Sequence, residues 1–223
     1  MLKFHFARNA SRRLLDLASR GHKDQRGVAA VEFALILPVM LLTYFASAEV
    51  TKGVLASRRV TMATRTMADL LGQQSATIDK PTLDLIVGAA TPVMAPLPTT
   101  SAYMKITLSS VTFKANGSNY DARTDWTYGY NSGTPRPCQV LNQVPNNAPP
   151  ASTDVPTGFY GPGSVVVADV TYNYPTPFNV NIGSWKSPPI VVFKRAMFFA
   201  PRNTTSIAFK GSAAGVTICT YAP

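Results

Sequence analysis

The chain has 223 residues, room for one globular domain and a membrane segment, and a net charge of +10 at pH 7. Half of that surplus sits in residues 1–26, where seven Lys/Arg stand against Asp16 and Asp24, immediately before an apolar run. A basic flank so placed follows the positive-inside rule, N-terminus in the cytoplasm and C-terminus outside, and topology then explains the charge without a nucleic-acid partner.

Residues 1–27 read as a cytoplasmic basic leader, polar and without a sustained apolar face. Residues 28–48, VAAVEFALILPVMLLTYFASA, are long and apolar enough for a transmembrane helix. A carboxylate inside such a run costs roughly 2.5–3.5 kcal/mol on insertion scales, so Glu32 calls for a partner. Pro38 removes one ladder donor and is expected to kink the helix or free a carbonyl, which membrane helices tolerate. Residues 49–72 continue as an amphipathic extension. Ala56, Val60, Ala63, Met67 and Leu70 fall at alternating steps of four and three and form one apolar stripe, expected to pack on the domain that follows. Arg65 and Asp69 are spaced for an i,i+4 pair, and Gly72 is placed for a C-cap.

Residues 73–100 hold a short helix, opened by Asp79-Lys80-Pro81 and running to about Ala90, and then a Pro-rich linker from Thr91 to Thr100. From residue 101 to 223 the period changes to two and an exported β-rich domain is expected. Tyr103–Phe113 is a strand, Asn116-Gly117 a turn, and Thr124–Tyr128 a short return strand. Ser164–Tyr174 and Ile190–Ala200 are strands rich in β-branched and aromatic residues, and a last one is expected over Gly215–Tyr221. Between them, residues 130–163 carry seven prolines and four glycines and read as a long irregular loop, which needs a tether. Cys138 lies in that loop and Cys219 is the only other cysteine. In an oxidising compartment the pair forms a disulfide; two free buried thiols are the alternative. A long helix followed by a mainly antiparallel sheet is an α+β arrangement.

Both histidines, His5 and His22, lie in the leader, so the rest of the chain has no Ser–His or Cys–His nucleophile pair and lacks the commonest zinc ligand. A two-carboxylate hydrolase would draw on Asp121, Asp125, Asp154 and Asp169. They are scattered without a motif and are expected to form turns and solvated surface. The expectation is a non-enzymatic protein with no cofactor, metal or small-molecule substrate.

Gly27, four residues, then Glu32-Phe33 resembles a prepilin processing site, with cleavage between Gly27 and Val28. A cut there would give Val28 a free α-amino group, and Glu32 could pair with such a group on a neighbouring subunit, setting register or extraction. An uncleaved anchor with Glu32 near the headgroup boundary is the rival reading, because Val28 and Glu32 are only about 6 Å apart along a helix.

RGVAAVEFALILPVMLL, Arg58-Arg59 and Ala68-Asp69-Leu70-Leu71 together resemble the TadE/TadG-like pilus assembly proteins of the tight-adherence (Tad, Flp) system. Ser109-Ser110-Val111, Asp125-Trp126, VVVADVTYNYPTPF (165–178) and Ala200-Pro201-Arg202 resemble its alphaproteobacterial branch. The resemblance implies a minor pilin or pseudopilin in the bacterial inner membrane, with a periplasmic C-terminal domain, processed by a prepilin peptidase. Its partners would be other pilins and Tad pilus assembly components. Val28 departs from the phenylalanine that type IV major pilins typically carry there, and the chain length favours the TadE side. Two other readings stand beside this one. Cleavage after Ala48, at Ala46-Ser47-Ala48, would release a secreted β-rich domain starting at Glu49. An anchored carbohydrate- or DNA-binding module would stack its ligand on Trp126 and Trp185, although strand-like spacing favours core packing for those rings.

Overall fold

Helix α1 covers Val28–Gly72, 45 residues, and runs through Pro38. It belongs to a computed structural model that describes residues 27–176, 181–182, 185–186 and 190–221. The leader expected over residues 1–26 lies outside the described residues. The chain divides into two units, Met1–Val50 and Thr51–Pro223.

In the first unit every residue from Val28 to Ser47 is exposed, and the apolar stretch is long enough to cross a membrane. Two of its hydroxyls are satisfied locally: Thr43 Oγ1 donates to Met40 O (2.9 Å) and Ser47 Oγ to Tyr44 O (2.8 Å). Such back-bonding makes a polar side chain tolerable where no water is at hand.

In the second unit α1 buries Ala56, Val60, Ala63, Thr64, Met67, Ala68, Leu71 and Gly72. The small residues let the helix backbone lie close to what it packs on. The stripe ends on Leu71 rather than on the expected Leu70, which is only half-buried. Gly72 is not in the left-handed conformation expected of a glycine C-cap. A Cβ there would stand 3.4 Å from Ala200 O and 3.6 Å from Phe199 Cβ, so the position serves close approach. Asp69 pairs with Arg202, not with Arg65. Arg202 N also donates to Gly72 O (2.8 Å) and Asn203 Nδ2 to Gln73 O (2.9 Å), so a distant segment satisfies the orphan carbonyls at this helix end.

After β1 (Thr77–Ile78), Asp79 caps helix α2 (Lys80–Gly88), accepting from Thr82 N at 3.1 Å, with Pro81 in the first turn. Side-chain and backbone hydrogen bonds from Thr82 hold the Asp79 carboxyl below its usual range. Helix α3 (Ala90–Met94) follows, so the expected linker is helical in its first half; Pro92 fits because a first-turn residue has no intrahelical donor to lose.

Strands β2 (Met104–Asn116) and β3 (Asn119–Tyr130) form a hairpin about Gly117, at φ 61°. Strands β4 (Asn142–Val144) and β5 (Asp154–Pro156) pair in parallel within the Pro-rich loop, so that loop is less irregular than its composition suggests. Then come β6 (Gly163–Pro175), the short β7 (Asn181–Ile182) and β8 (Trp185–Lys186), β9 (Ile190–Phe199), β10 (Ala208–Phe209) and β11 (Val216–Ile218). The main sheet is antiparallel throughout, in the order β11-β3-β2-β6-β9; β10 pairs in parallel with β1. The α+β expectation and its mainly antiparallel sheet are thus observed.

The sheet is covered on both faces. Met104, Ile106, Leu108, Trp126, Tyr128, Val166, Ala168 and Tyr172 join the buried stripe of α1 and Leu83, Ile86 and Val87 of α2 in one core. On the other face the loop brings Leu141 and Val155 onto Val111, Phe113, Ala122, Val165 and Val167. A bulge makes this possible. Val111 pairs with Thr124 but Ser110 with Trp126, so Asp125 is an extra residue in β3. The insertion shifts the alternation of β3, turning Trp126 and Tyr128 to the helix face and Ala122 to the loop face.

Candidate functional site

The residues of the expected processing junction stand at the start of α1. Gly27 precedes the helix and is exposed, and Val28 is its first residue, 50% exposed. Glu32 and Phe33 follow one turn later, both exposed. Among the described residues Glu32 has neither an ion pair nor a hydrogen bond. A carboxylate on an exposed apolar helix, with no partner among the described residues, is the one charge in that stretch and needs a counterpart to be stable in a membrane. Pro38 lies ten residues into the same helix, which continues past it.

Far along the chain, Cys138 and Cys219 are joined by a disulfide, with Cα atoms 5.2 Å apart. This ties the Pro-rich loop to the segment after β11. Cys219 N donates to Asp125 O (2.8 Å), and the Tyr221 hydroxyl donates to Thr124 O (2.9 Å), which holds that segment along β3.

The loop is held a second time by Arg136, 1% exposed. Its Nε donates to Asp169 Oδ2 (2.8 Å) and its Nη2 to Asp169 Oδ1 (2.9 Å), a bidentate fork. Its Nη1 donates to Ser152 O (3.3 Å) and Asp154 O (3.0 Å), and its guanidinium lies 5.3 Å from the Phe198 ring centroid. Phe198 in turn stacks on Phe159 at 5.0 Å. One cation thus fastens two points of the loop to β6 and β9. Burial pushes the Asp169 carboxyl up, against the pull of the guanidinium. Gly133, three residues upstream, must be glycine, because a Cβ there would overlap Ile106 O.

The other acids also have structural partners. Burial pushes the Asp125 carboxyl up, although its Oδ2 accepts from Ser110 Oγ (3.2 Å) and Thr112 Oγ1. Asp121 accepts from Asn116 Nδ2 at 3.2 Å, and Asp154 Oδ1 from Asn142 Nδ2 (3.1 Å) and Thr153 Oγ1 (2.8 Å). The four candidate carboxylates therefore do not converge on a cleft. Among the described residues no cluster of three His, Cys, Asp or Glu is placed to hold a metal. Desolvation pushes the Asp84 carboxyl up, but Lys80 Nζ (2.6 Å) and the Tyr128 hydroxyl (2.5 Å) outweigh it and hold it low. Trp126 is buried and its Nε1 donates to Ile207 O (2.7 Å), so it cannot stack on a ligand; the Trp185 side chain lies outside the described residues.

Sequence reasoning missed Arg136. Its signal was a lone cation two residues before a cysteine in a loop with one other charge, Asp154.

Compared with known proteins, residues 27–69 match the family model described as TadE-like protein. The match begins at Gly27 and ends at Asp69, so it takes in the junction, Glu32, Pro38 and nearly all of α1. No curated protein and no solved structure matches the chain.

Proposed function

We propose, on the premise that this chain is TadE-like across residues 27–69, that it is a membrane-anchored, non-enzymatic minor pilin or pseudopilin acting in assembly of a Tad-type adhesive pilus. The observation that carries the reading is the match itself, which covers a helix whose apolar half is exposed and carries a single carboxylate, Glu32, unpartnered among the described residues.

In this reading residues 1–27 are a cytoplasmic leader, residues 28–48 cross the inner membrane and residues 49–72 extend that helix. Residues 73–100 lead into the periplasmic β-rich domain of residues 101–223. A prepilin peptidase cuts after Gly27. The new ammonium at Val28 and the carboxylate of Glu32 are each costly in hydrocarbon alone, and pairing between adjacent subunits offsets both costs. Within one helix the two lie about 6 Å apart along the axis, the spacing of an i,i+4 pair, so pairing between subunits competes with pairing within one. Phe33 flanks the pair with apolar contact, and Pro38 frees a carbonyl that a neighbouring subunit can satisfy. Oxidising conditions outside the cytoplasm suit the Cys138–Cys219 bond.

Glu32→Gln is the test. It keeps shape and removes charge, so cleavage should proceed while surface pili fall by at least about ten-fold, the equivalent of some 1.4 kcal/mol per subunit contact. Normal piliation with the glutamine variant would remove the assembly role assigned to this carboxylate.

A further inference from the structure

Strand β9 is a long edge. Among the described residues its only strand neighbour is β6, in an unbroken ten-pair register from Ile190 to Phe199. It contains no proline and no bulge, two of the devices that protect an edge from pairing; a third, charge, is present at Lys194 and limits which strand can pair there. None of its side chains is fully buried, and Ile190 and Val192 are half-exposed. The Lys194 carbonyl accepts from a side chain, Arg195 Nη1 at 2.8 Å.

Two depressions lie between this strand and the clamped loop, and they share Pro150 and Ala151. One, of about 400 Å³, is basic: Lys105, Thr171 and Lys194 form one cross-strand row along its floor. Its acid, Asp169, is already held by the Arg136 fork, and neither lysine has an ion pair among the described residues. The other, of about 390 Å³, is mainly apolar, with Pro149, Pro156, Phe159 and Phe198 in its walls. Lys194 and Phe198 are four residues apart on the same face of β9, a separation of about 13 Å.

We propose that the outer edge of β9 receives an extended segment of another protein, one carrying a carboxylate side chain four residues from a bulky apolar one. Backbone pairing would supply the main affinity. The lysine row would take the acid and the Phe159–Phe198 depression the apolar group. Charge rules out two nearer occupants. The chain's own residues 1–26 are strongly basic, and a second copy's β9 would bring another Lys194 and Arg195 to a positive edge. The inference does not depend on the pilus reading, since it uses only the sheet edge and its two depressions.

The test is fluorescence anisotropy with the full chain in lipid nanodiscs and a labelled synthetic heptapeptide, TEVTVFT. Empty discs are subtracted. Three comparison peptides replace the glutamate by lysine, replace the phenylalanine by serine, or carry N-methyl groups on alternate amides. Saturable binding of TEVTVFT is expected, weakened at least about five-fold by lysine and by serine and abolished by N-methylation. K194E and K105E should each erase the preference for the glutamate over the lysine peptide, since either leaves one lysine beside one glutamate in the row, with circular dichroism unchanged. No saturation below roughly 1 mM, the weak end of specific recognition, would overturn the proposal. So would equal binding of the N-methylated peptide, or an unaltered charge preference in both lysine variants.

Discussion

Removing the Arg136 guanidinium leaves Asp169 under the loop with its charge unpaired, and it orphans the Ser152 and Asp154 carbonyls. Breaking one partner of a buried pair costs about 3–5 kcal/mol, whereas replacing both partners by apolar side chains of similar volume is close to neutral. Arg136→Ala should therefore weaken the attachment of residues 140–156 by that amount. The disulfide stays intact in this variant, so the loop remains tethered at Cys138 and the loss appears as local opening. Hydrogen exchange reads it directly. Leu141 N is bonded to Ala122 O and Asn142 N to Thr153 O, both at 2.8 Å, and these amides report loop closure. Their protection should fall by roughly two to three and a half decades, at 1.36 kcal/mol per decade. Amides at the centre of β2 should keep theirs. The double replacement Arg136→Met with Asp169→Leu should recover at least about 1 kcal/mol relative to Arg136→Ala, a coupling that a double-mutant cycle isolates. A loss under about 1 kcal/mol in Arg136→Ala, or strict additivity in the cycle, would refute the clamp.

Reduction or Cys138→Ser should lower the melting temperature. For a sequence separation of 81 the chain-entropy relation gives about 4.5 kcal/mol, and an unchanged midpoint would mean that the bond contributes nothing. Burial raises the Asp125 carboxyl, so the folded state binds its proton more tightly than the unfolded chain does. Its contribution to stability is therefore greatest below the unfolded value near 4 and declines as pH rises through the folded one. Asp125→Asn lacks that titration, so in urea unfolding its stability relative to the parent chain should rise as pH increases from the unfolded value near 4; the opposite slope would contradict the assignment.

What the sequence could show was set by the range of the interactions. α1 was legible because an apolar run and a 3.6-residue stripe are local patterns, and its end at Gly72 was marked by a glycine where the stripe stops. The cysteine pair was legible because only two cysteines exist. Two of the departures along α1 came from partners far away. Asp69 is taken by Arg202, which lies 133 positions downstream, and Gly72 is needed for the approach of Ala200. Neither fact leaves a trace in a window around the helix. In β3 the alternation inverts at Asp125, so a strict period-two reading from Thr124 puts Trp126 on the wrong face. The Pro-rich segment hid β4 and β5 because three-residue strands carry no detectable period. Arg136 was overlooked because its role depends on three acceptors at residues 152, 154 and 169. At the helix start the sequence was more informative than the fold. Gly27, Val28, Glu32 and Phe33 make no contact among the described residues that marks them out, and the partners proposed for them lie on other molecules.

Removal of residues 1–27 at Gly27 is the step that would let Val28 and Glu32 act between subunits. Intact mass and N-terminal sequencing of the protein from its native membrane test it most directly. A mature chain that begins at Val28 and retains Glu32 as its fifth residue is expected. A chain beginning at Glu49, or one that still carries residues 1–27, would contradict it.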